Sequence, residues 1–353
     1  MTACFIRMGG TVVLLLVVVQ AAASPPVQPP AMGSALLDRS VVISRVAFGS
    51  CYVPQFERSE IWHTILASNP DIFLFLGDNV YQSEEHGESG LKELREAYTA
   101  LAGDQPFAAL RERVHVATIW DDHDYGLNDA GAEFAPKYES EALFEHVWAV
   151  PDDDLRRSRD GVYHRIEVGQ RDRTVQFLLL DTRFFRTTAA GDTGGQQATV
   201  LGEDQWRWLR QALSVPAAVR IVASSIPVLS SVIDGEAWHR WPGERAQLLS
   251  LLSEASGRVI LLSGDSHFGS LYRWESTGRQ PLWEVTSSSL NFPLPDEKQA
   301  TFVNEDSLRI GAPHFRENFG LLRIDWEDGS ILLELRDRAG DVLAEQRVGP
   351  QTQ

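Results

Sequence analysis

The stretch DIFLFLGDNVY, residues 71–81, joins an uninterrupted apolar run to an abrupt polar ending. A short apolar run bounded by turn residues is typical of a strand covered on both faces, because a half-exposed strand would alternate apolar with polar residues. The ending puts Asp78, Asn79 and Tyr81 directly beyond the carboxyl end of that strand. The stretch therefore predicts a buried strand that delivers polar side chains to one edge of a sheet.

The same pattern repeats, and strand-like and helix-like segments alternate from residue 41 onward. Strands are predicted in VVISRVAFGS, DIFLFLGD, RVHVATIW, RTVQFLLLDTR, VRIVASSIPVL, GRVILLSGD, GSLYRWES, PLWEVTSSS, FGLLRIDWEDGSILLELRD and VLAEQRV. Helices are predicted over residues 58–68, 91–101, 138–149, 201–213 and 243–255. Apolar strands between helices indicate an α/β fold, and the strand-rich last third favours two packed sheets over one doubly wound sheet.

The N-terminus has the features of a secretory signal peptide. Arg7 precedes the apolar segment 11–20, and small residues follow, so cleavage is expected after Ala23. An uncleaved membrane anchor is the alternative, although the apolar segment is short for a bilayer span. Residues 24–40 are rich in proline and are expected to form a linker. A single domain is expected over residues 41–349, in a periplasmic or secreted protein with no integral membrane domain after cleavage.

Charge and cysteine content narrow the function further. The formal net charge is -17, which argues against a stable complex with nucleic acid, because phosphate backbones bind to basic surfaces. The chain has two cysteines, and signal cleavage would remove Cys4 and leave Cys51 without a partner. A lone thiol is either a buried apolar filler or a functional group.

Polar residues are concentrated immediately after the apolar strands. In open α/β sheets the ligand crevice lies beyond the carboxyl ends of the strands, so these side chains are expected to converge. They comprise Cys51, Asp78, Tyr81, Asp121, Asp122, His123, Asp124, Asn128, Asp265 and His267. Crowded carboxylates repel one another, and a bound cation removes that cost. Carboxylate and amide oxygens suit calcium, magnesium or manganese, whereas a thiolate and a phenolate suit a more highly charged metal such as ferric iron. Asp78 is the expected bridging ligand.

These motifs resemble, in chain order, those of the PhoD-like (alkaline phosphatase D) metallophosphoesterases, relatives of the purple acid phosphatases. The matching segments are FGSC (48–51), FLGDNVY (75–81), WDDHDYGLND (120–129), LLDTR (179–183), DGEAWHRWPGERAQLL (234–249), LLSGDSHF (261–268) and EVTSSSL (284–290). The resemblance implies a four-layer α/β/β/α sandwich of two packed mixed sheets flanked by helices. It also implies a ferric ion with calcium alongside, and hydrolysis of phosphodiesters and monoesters outside the cytoplasm at alkaline pH.

The resemblance assigns roles motif by motif. Cys51, Asp78 and Tyr81 resemble the iron ligands. Calcium is expected on Asp78 and on either Asp121 or Asp122, with Asp265 and Asn128 in reach. His267 matches a late histidine ligand, and His123 matches a histidine that stabilises the transition state or protonates the leaving group. The expected catalytic residues are His123, Asp78 and Asp265, and the expected substrate-binding residues are Asn79, Arg183 and His239, with Arg245 as an alternative guanidinium for a phosphate oxygen.

The expected reaction is hydrolysis of a small phosphoester by a metal-bound hydroxide. Phospholipids, nucleotide diesters, teichoic-type polymers and simple monoesters all stay open as substrates. Two alternatives have different chemistry. SGDSH resembles the nucleophile segment of GDS-type esterases, with Ser266 as nucleophile, but that segment normally lies near the start of such a domain. A non-catalytic secreted calcium-binding protein would suit the acidic composition, although structural calcium sites need only oxygen ligands.

Overall fold

The structure is a computed structural model that describes residues 27–349, apart from residues 57, 83–89, 190–197, 232–234, 277–279 and 303–304. The expected signal peptide, residues 1–23, and the first three linker residues lie outside the described part. The strands are β1 Arg45–Gly49, β2 Ile72–Leu76, β3 His115–Ile119, β4 His164–Val168, β5 Val175–Leu179, β6 Val219–Ala223, β7 Arg258–Ser263, β8 Gly269–Trp274, β9 Leu282–Ser287, β10 Arg309–His314, β11 Asn318–Ile324, β12 Ile331–Asp337 and β13 Val342–Val348. The helices are α1 Glu60–Ala67, α2 Lys92–Gly103, α3 Gln105–Arg111, α4 Asp122–Tyr125, α5 Lys137–Val147, α6 Gly202–Leu213, α7 Pro242–Glu254 and α8 Asp296–Phe302.

The strands described form two mixed sheets. One has the order β13-β12-β11-β1-β2-β3, in which β1, β2 and β3 are parallel and the other neighbours antiparallel. The second has the order β10-β8-β9-β7-β6-β5-β4, with a parallel centre of β5, β6, β7 and β9 and antiparallel pairs at both ends. The predicted two-sheet α/β architecture is confirmed.

Strand β2 shows why its sequence is apolar throughout. Phe73 and Phe75 point to the outer cluster, where helices α1, α2, α3 and α5 pack. Leu74 and Leu76 point to the inner cluster between the two sheets. Helices α6 and α7 cover the outer face of the second sheet through residues such as Leu209. Both faces of each sheet's parallel part are therefore buried, and the layers run helix, sheet, sheet, helix.

Two edge strands were missing from the sequence-based prediction. Strand β4 alternates buried and exposed residues and pairs only with β5 in the described sheet, so its apolar signal is weak. Strand β10 contains Pro313, which sheets accept only at an edge or a bulge, and its register with β8 shifts. Neither strand supplies a residue to the site described below.

The described part of the expected linker is not a free tether. The Met32 N–H donates to the Val147 carbonyl over 2.6 Å, and the Ala35 N–H donates to the Arg111 carbonyl over 2.7 Å. The Met32 side chain is buried. These contacts fix the segment against the C-terminal ends of α5 and α3. Among the described residues no helix is both long enough and apolar enough to cross a bilayer.

Candidate metal centre

Loops that follow strands of both sheets meet at one edge of the sandwich. Cys51 follows β1, Asp78 follows β2, Asp121 follows β3, and Asp265 follows β7. Cys51 lies beside Asp78 at the edge of one sheet, and Asp121 lies beside Asp265, a contact that joins the two sheets. The loop after β5 joins them, since Arg183 contacts Asp121.

One group of ligand atoms gathers around Asp78 Oδ2. The Tyr81 hydroxyl donates to this oxygen over 2.6 Å, and the Cys51 thiol donates to it over 3.5 Å. Cys51, Asp78 and His267 each offer an atom within 4.8 Å of the others'. The thiol is buried and also lies 3.1 Å from Ser288 Oγ. A thiol, a phenol, a carboxylate and an imidazole therefore face one point.

A second group consists mainly of carboxylates. Asp121, Asp122 and Asp265 bring oxygens within 4.8 Å of one another. Two oxygens from Asp78 and Asp122 and a ring nitrogen of His123 also lie within 4.8 Å of one another. Asp78 thus belongs both to the group with Cys51 and to the set with Asp122 and His123. Asp122 in turn belongs to both sets of the second group. Asp78 is the side chain through which the two groups connect.

Several of these residues have backbone conformations that L-amino acids rarely adopt. The φ angles are 59° at Cys51, 47° at Asp78, 67° at Asp265 and 58° at His267. A positive φ at a non-glycine residue costs about 1–3 kcal/mol, and such residues are concentrated at functional sites. Their occurrence in three converging loops, those after β1, β2 and β7, indicates that the fold enforces the positions of these side chains.

The electrostatics favour a cation. Burial raises the pKa of Asp78, and the nearby Asp122 carboxylate raises it further. Burial likewise raises the pKa of Asp121 and Asp265, and neighbouring carboxylates add to both shifts. Burial acts in the same direction on Asp122, but Arg183 and His123 outweigh it, and its pKa lies below the ordinary value. A metal ion would replace the protons that these crowded carboxyls otherwise retain.

Unused ligand atoms fit a metal. Asp78 Oδ1 and Asp121 Oδ2 are buried and accept no hydrogen bond from the described residues. A buried carboxylate oxygen without a hydrogen-bond donor is costly unless a cation or a water molecule contacts it. His267 Nδ1 lies 2.8 Å from the Phe292 carbonyl, which can only accept, so Nδ1 carries the proton and Nε2 keeps its lone pair. The donor set is that of a metal centre.

A network of buried charged side chains fixes the Asp121 carboxylate on the side away from the other ligand atoms. Arg183 is fully buried, and its Nε donates to Asp121 Oδ1 over 2.5 Å. The Arg183 Nη2 lies 2.5 Å from Glu236 Oε2, and Arg186 binds the other oxygen of Glu236. Ser225 Oγ donates to Asp121 Oδ1 over 2.5 Å. These contacts occupy one oxygen of Asp121 and leave the other facing the ligand groups.

Glu236 and Ser225 were not predicted as site residues. Ser225 follows β6 closely, so the rule about strand ends could have found it. Glu236 stands in the motif DGEAWHRWPGERAQLL but follows no apolar strand directly, and only the folded chain brings it to Arg183.

The structure does not offer the three expected substrate-binding residues to a ligand at this centre. Asn79 is buried, and its amide donates to the Ile119 carbonyl over 2.8 Å and also to Asp124. Arg183 binds Asp121 and Glu236. His239 lines a separate cavity of about 350 Å³, and no side chain of the metal centre lines that cavity. Arg245 donates to two backbone carbonyls, those of Val228 and Leu229.

Asn128 also differs from its expected place. It is exposed and lines a cavity of about 270 Å³ together with Leu127 and Phe134. By contrast, Asp122, in the same segment, lies inside the centre. Ser266 is fully buried, and its hydroxyl donates to the Gly264 carbonyl of its own turn. A buried hydroxyl held in this way is a poor nucleophile, which argues against the serine esterase alternative.

Comparison with known proteins agrees with this chemistry. The family model for PhoD-like phosphatase matches residues 46–335. Fold, site and family model define a metal-dependent phosphoric ester hydrolase. More particularly, the chain belongs to the PhoD-like phosphatase family. No curated protein matches the sequence.

Two solved structures share the fold. A structure of PhoD superposes with a TM-score of 0.68 at 15% identity, covering 90% of this chain and 74% of the other. The structure of GAP50, the anchor in the inner membrane complex of Plasmodium, gives a TM-score of 0.57 at 13% identity, covering 89% of this chain and 90% of the other.

Proposed function

We propose that the protein hydrolyses small phosphate diesters and monoesters at a two-metal centre built around Asp78. The observation that carries the proposal is the position of Asp78, common to a thiol-containing group and a carboxylate group. One carboxylate between two ligand sets is suited to hold two unlike cations close together. The formal net charge of -17 disfavours long polyanions as substrates and leaves small esters as the favoured class.

The two groups favour different metals. Cys51, Tyr81 and His267 around Asp78 suit ferric iron, because thiolate and phenolate are strong anionic donors. Asp121, Asp122 and Asp265 suit calcium, which prefers oxygen ligands. We assign both Asp121 and Asp122 to this set, because both offer an oxygen to the same group of ligand atoms. Asn128 is left out because it is exposed and lines another cavity.

When bound, the metals would supply Lewis acidity that activates a water molecule and neutralises charge on the phosphoryl oxygens. The remaining work belongs to the chain. His123 lies in one group with Asp78 and Asp122, and its ring packs against Tyr81 with centroids 4.4 Å apart. An imidazolium held there can donate a proton to the leaving alkoxide. Arg183 and Glu236 act behind the ligands and fix the Asp121 carboxylate.

Asp78→Asn tests the proposal. Asparagine tolerates a positive φ better than alanine does, so this exchange removes the charge without added backbone strain. We expect hydrolysis of bis-p-nitrophenyl phosphate to be lost while circular dichroism stays unchanged. Asp204→Asn, at an exposed aspartate in α6, is the matched control and should keep full activity. Activity retained by Asp78→Asn would overturn the proposal.

We also propose that the enzyme works outside the cytoplasm. Cleavage after Ala23 would give a chain that begins at Ser24 and carries one catalytic domain over residues 41–349. The apolar segment 11–20 and the small residues after it support this location. N-terminal sequencing of protein from the extracytoplasmic fraction should begin at Ser24. An intact N-terminus in the membrane fraction would favour the anchored alternative.

A further inference from the structure

A row of aromatic rings leads from the metal centre to the surface. The Phe292 ring packs edge-to-face against His267 and Tyr81, with centroid distances of 4.8 and 5.0 Å. Phe56 packs against the same Phe292 ring at 5.7 Å with an interplanar angle of 84°. Phe56 is 40% exposed, whereas most large apolar side chains described are buried. The two phenylalanines form a right-angled corner that contacts two expected metal ligands through Phe292.

Hydrogen bonds between the two loops that carry the phenylalanines hold the corner in place. Asn291 Oδ1 accepts the Val53 N–H over 2.7 Å, and Asn291 Nδ2 donates to the Val53 carbonyl over 2.9 Å. The Leu290 N–H donates to the Ser50 carbonyl over 3.0 Å. These bonds join the loop after β1, which carries Phe56, to the loop after β9, which carries Phe292. Because the corner is fixed before any ligand arrives, binding against it loses little conformational entropy.

We propose that this aromatic corner, Phe56 and Phe292, binds a planar ring on the organic group of the phosphoester. The inference rests on the proposed function, and it names the substrate class: esters that carry an aryl ring or a nucleobase. Perpendicular rings suit a third planar ring, which can lie offset over one face and present its edge to the other. An aliphatic chain gains burial against the same rings but not this geometric preference.

Non-hydrolysable phosphonates test planarity without the differing reactivity of leaving groups. Phenylphosphonate and cyclohexylphosphonate have rings of similar size, and only the first is planar. We expect the inhibition constant of phenylphosphonate to be about 2- to 10-fold lower in the native enzyme, the range that specific ring pairing supplies. Comparing a nucleoside 5′-phosphonate with ribose 5-phosphonate distinguishes a nucleobase from an aryl ring as the natural occupant.

Phe56→Leu should abolish the planar preference, and Phe56→Trp should keep it. Phe56 is exposed, so neither exchange removes a core side chain. Tyr138→Leu is the matched control, because Tyr138 is also exposed and also packs perpendicular to a phenylalanine, at 5.3 Å from Phe184. That variant should retain the native ratio of the two inhibition constants.

Equal inhibition constants for the two phosphonates in the native enzyme would overturn the proposed role of the aromatic corner. An unchanged ratio of these constants in Phe56→Leu would overturn it too. A dodecylphosphonate that loses as much affinity as phenylphosphonate in Phe56→Leu would also overturn it, in favour of a lipid chain. Calorimetric titration of the metal-loaded protein gives the same affinities without turnover. A protein that hydrolyses no phosphoester fails the proposed function, whereas one that hydrolyses esters without planar preference fails only this inference.

Discussion

Tyr81 donates its hydroxyl hydrogen bond to Asp78 Oδ2 over 2.6 Å, and the same oxygen lies 3.5 Å from the Cys51 sulfur. Burial raises the pKa of both the phenol and the thiol, and the nearby Asp78 carboxylate adds to both shifts. In the protein without metal both groups therefore keep their protons. A ferric ion would take the place of these protons, and the protein would release them on loading.

The first prediction follows from that exchange. Phenolate or thiolate on ferric iron absorbs visible light, so the purified enzyme should be coloured and contain iron. Tyr81→Phe and Cys51→Ser should each shift or remove the band, because each deletes one anionic donor. Tyr52→Phe is the control: Tyr52 adjoins Cys51, but its hydroxyl binds Asp104. A colourless, iron-free enzyme with full activity would contradict the ligand assignment.

The sequence pointed to Cys51, Asp78 and Asp265 as candidate site residues because each follows a strand with apolar residues on both faces. Sequence reasoning assigned Asp78 to the metals and its neighbour Asn79 to the substrate, but it could not show that Asn79 is buried. The left-handed φ of 47° at Asp78 turns one side chain to the metal centre and the next one into the body of the domain. Glu236 was not predicted as a site residue for a different reason. Its partner Arg183 lies 53 residues earlier in the sequence, and only the tertiary structure brings the two together.

Removing the metals should lower thermal stability. Metal bound only to the folded state stabilises it by about 2.7 kcal/mol when free metal is at 100 times its dissociation constant. A chelator should therefore reduce the melting temperature of the native protein, and calcium with ferric iron should restore it. In Asp78→Asn, which lacks the shared carboxylate, the chelator should have a much smaller effect. An identical shift in both proteins would show that the stabilising ions bind elsewhere.

The ion network behind the centre makes a third prediction. Glu236→Gln keeps the side-chain shape but leaves the buried Arg183 and Arg186 short of one negative charge. Removing one partner of a buried ion pair costs about 3–5 kcal/mol, so the free energy of unfolding should fall by that order. Metal affinity should fall as well, because Arg183 then draws more strongly on Asp121.

The control for Glu236→Gln is a surface ion pair with a similar distance between nitrogen and oxygen. Asp204 and Arg207 approach within 2.6 Å, but both side chains are more than half exposed. Asp204→Asn should change the free energy of unfolding by less than about 1 kcal/mol, because water screens the pair. Denaturant titration measures both variants. Similar losses in the two would mean that burial does not amplify the role of Glu236.

The last prediction concerns pH and a carboxyl outside the metal centre. Burial raises the pKa of Glu141 to about 8 in the folded protein, and the nearby Asp181 and Glu145 add to the shift. Its ordinary value is 4.5, so between about pH 4.5 and 8 the folded state binds more protons than the unfolded state. The contribution of Glu141 to stability therefore falls as pH rises through this window, and the penalty is complete above it.

Glu141→Gln removes the charge and keeps an oxygen for the Gly161 N–H, which donates to Glu141 Oε1 over 2.5 Å. The variant and the native protein should melt together near pH 4.5, and the variant should become the more stable one as pH rises to 8.5. Metal ligands titrate in both proteins alike, so the difference in melting temperature isolates Glu141. Glu139→Gln, at an exposed glutamate of the same helix, is the control. The difference in melting temperature between this variant and the native protein should not change with pH. A difference that stayed constant with pH would mean that Glu141 ionises alike in the folded and unfolded chain.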